Sequence, residues 1–173
     1  MDSHYDQVMK ARDAAGKGVR QYFAYSTILD REAFLEWRGQ HAYDFFDLPA
    51  GELAEAIDVS LAYDFPSRWW GGRVAGLVDQ PGKSVFGRLF EISEVDWPII
   101  SHKEGGVTGM SVERPVKVKA GGKVIDAVAF ATNPKRQSGD GPISPRFVEA
   151  LMRGATAAQL PADWIAGLAA GAK

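Results

Sequence analysis

Two stretches that lie far apart in the sequence contain residue types suited to binding and transforming an acidic ligand. The first is residues 25–29, Tyr-Ser-Thr-Ile-Leu, where a predicted strand ends in small hydroxyl residues just before Asp30. Backbone N–H groups at a helix start lack partners within the helix, and with the helix dipole they favour an anion such as a carboxylate. The alternative is an ordinary capped helix, because Ser, Thr and Asp are common at helix starts.

The second stretch is centred on Glu104, which is followed by Gly105 and Gly106. A carboxylate beside flexible backbone can reach into a cleft. Partial desolvation there would raise its pKa toward the range in which a general base works at neutral pH. The alternative is a solvated glutamate in a turn. The two stretches form one site only if the fold brings them together.

The remaining polar residues give weaker indications. His4, His41 and His102 lack the paired ligand spacing of zinc sites, so we predict no metal site and expect His102 at the surface. No serine stands in the Gly-x-Ser-x-Gly pattern of an activated nucleophile, and the chain has no cysteine. Covalent catalysis is therefore not expected.

Two further features are open to a binding role. Trp69 and Trp70 are adjacent, and they either form a ligand platform or cover the edge of a core. Residues 134–142 form a polar, glycine-containing loop that is long enough to cover a site.

The overall composition is that of a globular domain. The chain has 173 residues, of which 46% are hydrophobic and 24% charged, and its formal net charge is −2. No segment concentrates Lys and Arg, so nucleic acid is not an expected partner. The absence of cysteine gives no support to an oxidising compartment. No leader pattern and no apolar run near the ~18 residues of a membrane span are present, so we expect a cytoplasmic address and no membrane partner.

The pattern along the chain predicts helices alternating with a mainly antiparallel sheet. Strands are expected over residues 20–25, 57–63, 73–78, 84–92, 112–119 and 123–132. Pro81 and Gly82 predict a hairpin turn at residues 79–83, and Gly121 and Gly122 predict a second at residues 120–122. Helices are expected over residues 6–15, after Asp30, over 93–102, from Ser144-Pro145 and over 162–170.

The order of these pieces resembles that of the gamma-glutamylcyclotransferases and their AIG2-like relatives over residues 22–160. Residues 23–29 occupy the place of the family's Tyr-Gly-Ser-Asn-Leu loop, and residues 71–87 resemble its central hairpin. The Glu104-Gly105 pair, followed by Gly109-Met110 and an extended run, resembles the family's catalytic glutamate segment. Thr132-Asn133 and the helix start at Ser144-Pro145 continue the match.

The resemblance implies an α+β fold: a small mixed, mainly antiparallel β-barrel or sheet with flanking α-helices. The domain would span residues 20–173, preceded by a helical extension over residues 1–19.

The resemblance also implies a reaction in which a small gamma-glutamyl compound loses its amine and closes to 5-oxoproline without a cofactor. Glu104 would be the catalytic acid/base. The substrate-binding residues would be Tyr25, Ser26, Thr27, Ile28, Leu29, Gly105 and Phe130.

Three residues depart from the family pattern. Ser26 replaces a glycine, Ile28 replaces an asparagine, and Phe130 stands where relatives often have a tyrosine. One alternative is therefore a non-catalytic binding or interaction module with a protein partner. Another is a related enzyme for a carrier-bound or modified acyl substrate, with residues 135–141 as a recognition element.

Overall fold

The computed structural model describes residues 3–171. Its helices are α1 (Ser3–Ala14), α2 (Arg31–Gln40), α3 (Trp97–Glu104), α4 (Pro145–Ala157) and α5 (Ala162–Gly171). Its strands are β1 (Val19–Ala24), β2 (Glu52–Ser67), β3 (Gly72–Ser93), β4 (Ser111–Ala120) and β5 (Lys123–Thr132). Short 3₁₀ turns lie at Thr27–Leu29 and Pro134–Arg136. None of the helices within residues 3–171 is both long and apolar enough to cross a membrane.

The strands form a closed barrel in the order β1-β3-β2-β4-β5. Four neighbouring pairs are antiparallel, and the barrel closes by parallel pairing of β1 with β5, where Tyr22 is opposite Val128. The mixed, mainly antiparallel α+β architecture is confirmed.

The hairpin predicted at residues 79–83 is wrong, because both flanking runs belong to the single strand β3. On both sides of the segment β3 pairs with β2: Ser84 is opposite Ile57, and Asp79 is opposite Val59. The residues between them form a bulge in β3. The chain turns back at residues 68–71, between β2 and β3.

The bulge contains Gly82 in the left-handed backbone conformation that a hairpin turn would also have required. Gly82 has a φ of +80°, which glycine adopts without steric cost. Its N–H donates to the Asp58 carboxylate at 2.9 Å, so the partner strand holds the bulge in place.

Helix α3 begins later than predicted and places Glu104 at its end. Ser93 Oγ accepts a hydrogen bond from the N–H of Asp96 at 3.1 Å, which forms a turn before the helix rather than its first turn. Gly105 ends α3 in the left-handed conformation, with a φ of +89°. The predicted Gly-based hairpin between β4 and β5 is confirmed, with φ values of +55° and +76° at Gly121 and Gly122.

Three groups of buried side chains hold the domain together. One fills the barrel, a second lies between the barrel and helices α1 to α3, and a third lies under α4 and α5. Val8 of α1 is 1% exposed and belongs to the second group, so α1 packs against the domain. The domain boundary at residue 19 stays a prediction. Residues 1, 2, 172 and 173 of the two predicted segments lie outside the described part of the chain.

Candidate active site

One cavity of about 490 Å³ is lined by both stretches that the sequence singled out. Its walls come from α2, the end of α3, the β2–β3 turn, the end of β5 and the start of α4. The predicted site residues that line it are Tyr25, Ser26, Thr27, Glu104, Gly105 and Phe130.

Two predicted ligand-binding residues are placed elsewhere. Ile28 and Leu29 line a different, smaller cavity. Ile28 is 2% exposed and packs in the second core group, between the barrel and helices α1 to α3. The contact of each predicted residue with a substrate remains a prediction.

Glu104 is half-buried, and the phenol of Tyr22 donates a hydrogen bond to its Oε1. Burial raises the pKa of the Glu104 carboxyl, because desolvation disfavours its charged form. The positive charge of Lys103 and the hydrogen bond from Tyr22 act in the opposite direction and lower this pKa. A carboxyl with a raised pKa is suited to both accepting and returning a proton.

Tyr22 was not predicted as a site residue. Its ring is 1% exposed and contacts the rings of Phe90, Trp97 and Phe130. Burial, and next the charge of Glu104, raise the pKa of the Tyr22 phenol well above its usual value, so it stays protonated as a donor. A buried tyrosine generally needs a hydrogen-bond partner, but the sequence does not show which one.

Tyr25 and Phe130 connect the barrel to the cavity. The Tyr25 hydroxyl donates to the carbonyl oxygen of Phe130, and burial raises the Tyr25 pKa. The Phe130 ring stacks on Trp97 with centroids 5.6 Å apart. Phe130 is therefore fixed by its backbone as well as its ring.

The loop after β1 forms a tight 3₁₀ turn. The N–H of Leu29 donates to the carbonyl of Ser26 at 3.1 Å, and that of Asp30 donates to Thr27 at 2.9 Å. Within residues 3–171, the N–H groups of Thr27 and Ile28 have no hydrogen-bond acceptor. Of these two residues only Thr27 lines the cavity with Glu104.

Helix α4 holds this loop from outside. Asp30 occupies the N-cap position of α2 but makes no side-chain capping bond. Its carboxylate instead accepts bonds from Arg153 Nε at 3.2 Å and Nη2 at 2.9 Å. A Cβ added at Gly154 would lie 2.7 Å from the Asp30 nitrogen, so α4 packs directly against the loop backbone.

Comparison with known proteins agrees with this architecture. Residues 84–168, which include Glu104, match the model of the AIG2-like family. A solved structure named gamma-glutamyl cyclotransferase superposes with a TM-score of 0.71 at 23% identity over 88% of each chain. The chain therefore has a gamma-glutamylcyclotransferase-like fold, and the AIG2-like match covers residues 84–168 of it.

Other solved structures share this fold. An uncharacterised human protein superposes with a TM-score of 0.70 at 24% identity, over 88% of this chain and 87% of that one. YkqA from Bacillus subtilis superposes with a TM-score of 0.74 at 18% identity, over 96% of this chain and 58% of YkqA. A comparison with curated protein sequences finds no significant match.

The fold also brings the three histidines together, beside the cavity. His102 is buried, not at the surface as predicted, and its Nδ1 lies 2.8 Å from the Tyr43 hydroxyl. The rings of His41 and His4 are 5.0 and 5.7 Å from that of His102, because α1, α2 and α3 converge here. Within residues 3–171, no group of three or more His, Asp or Glu side chains is arranged to hold a metal ion.

Proposed function

We propose that this chain is a gamma-glutamylcyclotransferase-like lyase. It would release 5-oxoproline and a free amine from a gamma-glutamyl amino acid, peptide or amine. The observation that carries the proposal is that Glu104 and residues 25–27 line one cavity although they are distant in the chain. The fold shared with a structure named gamma-glutamyl cyclotransferase supports it.

The proposed reaction requires little covalent chemistry from the protein. The substrate's α-amine nitrogen attacks its own γ-carbonyl carbon, a ring C–N bond forms, and the bond to the leaving amine breaks. Glu104 accepts the proton released by the attacking amine and returns it to the leaving nitrogen. Closure of a five-membered ring gains from proximity, so correct orientation supplies much of the rate.

Different residues around the cavity would orient Glu104 and the substrate. Tyr22 holds one carboxyl oxygen of Glu104, which leaves the other for the substrate. The N–H and hydroxyl of Thr27, together with the Ser26 hydroxyl, would hold the substrate's α-carboxylate. The Lys103 ammonium also lines the cavity and favours bound anions there.

The runner-up is a non-catalytic binding module, and the altered loop favours it. Ser26 places a side chain where the family loop has only backbone. Ile28 places an apolar side chain in the core where the family has an amide. In that case the cavity binds a ligand or the surface binds a protein partner without turnover.

The test is to incubate the protein with a panel of gamma-glutamyl amino acids, peptides and amines and to measure 5-oxoproline. We expect product from at least one compound, and Glu104→Gln should reduce the rate about 10²–10⁴-fold, as loss of a general acid/base does. The control is Glu91→Gln, an exposed glutamate outside the cavity, which should leave the rate unchanged.

The fold of the Glu104→Gln variant must be intact for this result to count. Because burial raises the Glu104 pKa, this residue stabilises the fold at low pH and loses that contribution as pH rises through its folded-state pKa. The variant should therefore unfold at a temperature no lower than the parent chain at neutral pH. No product from any compound would reject the enzyme proposal in favour of the binding module.

A further inference from the structure

Trp69 and Trp70 are neighbours in the chain but have different environments. The Trp70 ring packs edge-on against Phe147, with centroids 5.5 Å apart, in the core group under α4 and α5. Trp69 belongs to none of the core groups within residues 3–171 and is 55% exposed. Both tryptophans line the same cavity as Glu104, so it is the packing of Trp70 in the core and the exposure of Trp69 that distinguish them. The sequence suggested that these tryptophans either cover the edge of a core or form a ligand platform. Trp70 covers the edge of a core, whereas the exposed ring of Trp69 is available to a ligand.

The turn that carries Trp69 is fixed by hydrogen bonds. Ser144 Oγ donates to the carbonyl of Trp70 at 2.6 Å, and Arg146 Nη1 donates to the carbonyl of Trp69 at 3.1 Å. The N–H of Trp70 donates to Ser67 Oγ at 3.2 Å. The backbone under the Trp69 ring is thus positioned before any ligand arrives, which reduces the entropy lost on binding.

Apolar side chains other than Trp69 also line the cavity. Among them are Phe65 and Met110, and Met110 is 42% exposed. Exposed large apolar side chains gathered at one concave site indicate contact with a ligand, because isolated ones are usually scattered over the surface.

We propose that Trp69 forms a subsite for an aromatic group on the leaving amine. This inference rests on the proposed function, because the cavity is then shared between the two halves of one substrate. The polar residues around Glu104 would take the glutamyl part, and the Trp69 ring would stack on an aromatic ring of the amine. A cavity of about 490 Å³ falls within the range of pockets that enclose whole small-molecule ligands, so it can hold both parts.

The experiment measures binding by titration calorimetry in the Glu104→Gln background, where turnover does not interfere. The two ligands are gamma-glutamyl-phenylalanine and gamma-glutamyl-alanine, which differ only in the aromatic ring. We expect the phenylalanine compound to bind about tenfold more tightly. Adding Trp69→Ala should bring the ratio of the two affinities close to one.

The control is Arg68→Ala in the same background, because Arg68 is exposed in the same turn but does not line the cavity. It should keep the preference. Equal affinities, a preference that survives Trp69→Ala, or no binding of either ligand would overturn the subsite. Preferential binding without 5-oxoproline from the parent chain would contradict only the proposed reaction. Product without preferential binding would contradict only the subsite.

Discussion

Opposing influences act on the pKa of the Glu104 carboxyl. Burial raises the pKa of its carboxyl, whereas Lys103 and the Tyr22 hydrogen bond lower it. The base form is lost as pH falls through this pKa. The acid side of an activity profile should therefore lie above the ordinary titration range of a glutamate.

Tyr22→Phe removes one of the two influences that lower the Glu104 pKa. The acid limb of kcat/KM against pH should consequently move to higher pH, so the variant should lose more activity on the acid side of the profile than on the alkaline side. The measurement is a pH profile of 5-oxoproline formation for the parent and the variant.

Tyr63→Phe is the matched control for this profile. The Tyr63 hydroxyl is buried, it has no hydrogen-bond partner within residues 3–171, and it does not line the cavity. Its removal should leave the profile in place. A Tyr22→Phe profile that coincides with the parent's would contradict the assigned contact.

Sequence reasoning singled out Glu104, which lines the cavity, but it did not single out its hydrogen-bond partner Tyr22, for a physical reason. A glutamate before two glycines can be recognised locally, and the family resemblance supported it. The partner of a buried tyrosine depends on which strand lies beneath which helix. That information is non-local, as is the burial of His102 between helices α1, α2 and α3.

At the scale of elements, the same local signal can produce two structures. The Pro81-Gly82 pair supplies turn dihedrals, but β2 offers a continuous partner on both sides of it, so β3 bulges and continues. Sequence patterns that are compatible with only one local structure were predicted correctly. The Gly121-Gly122 turn joins two strands of equal length, and Ser144 caps α4 by accepting the N–H of Phe147 at 3.1 Å.

Gly82→Ala tests the bulge. No atom lies within 4 Å of the added Cβ, so the cost comes from the left-handed conformation alone. We expect a loss of about 1 kcal/mol in the free energy of unfolding. Denaturant unfolding measures it. Gly139→Ala also has open space but no positive φ, and it should be close to neutral. Equal effects of the two changes would contradict the bulge geometry.

Gly154→Ala tests the contact between α4 and the loop after β1. Its Cβ would approach the backbone of Leu29 and Asp30 to within 3 Å, so the loop must move. We expect a loss of roughly 1–3 kcal/mol from overpacking, together with reduced 5-oxoproline formation.

The control is Gly167→Ala, in the exposed part of α5 with open space around it. It should stabilise the fold by up to about 1 kcal/mol through helix propensity and leave activity unchanged. If Gly154→Ala behaves like Gly167→Ala, α4 does not set the loop position.

At the scale of the whole molecule, helix α1 shares a core with the barrel. Val8 belongs to the core group that also contains residues of β1, β3 and α3. Val8→Ala should therefore lower the free energy of unfolding of the entire domain by about 2 kcal/mol. Coincident shifts in circular dichroism and tryptophan fluorescence would measure this.

Val124→Ala makes the same chemical change at a side chain that is 59% exposed, and it should have little effect. A Val8→Ala transition that leaves the fluorescence midpoint unmoved would instead support an independent extension over residues 1–19.

The strand order was not predictable from local patterns. Alternation and turns indicated a mainly antiparallel sheet, and the resemblance supplied the barrel. Parallel pairing of β1 with β5 follows from closure, which depends on all five strands together. The grouping of residues 25–27 with Glu104 has the same origin, because α3 ends beside the strand from which that loop emerges.

The barrel closes at Tyr22 and Val128, and the side chain of Tyr22 is the one that holds Glu104. Tyr22 therefore takes part both in the strand pairing that closes the barrel and in the hydrogen bond to the candidate catalytic carboxyl. Loosening of the β1–β5 pairing would displace the phenol from Glu104. If the proposed reaction occurs, we expect gentle warming to reduce turnover at temperatures where the circular dichroism spectrum is still native.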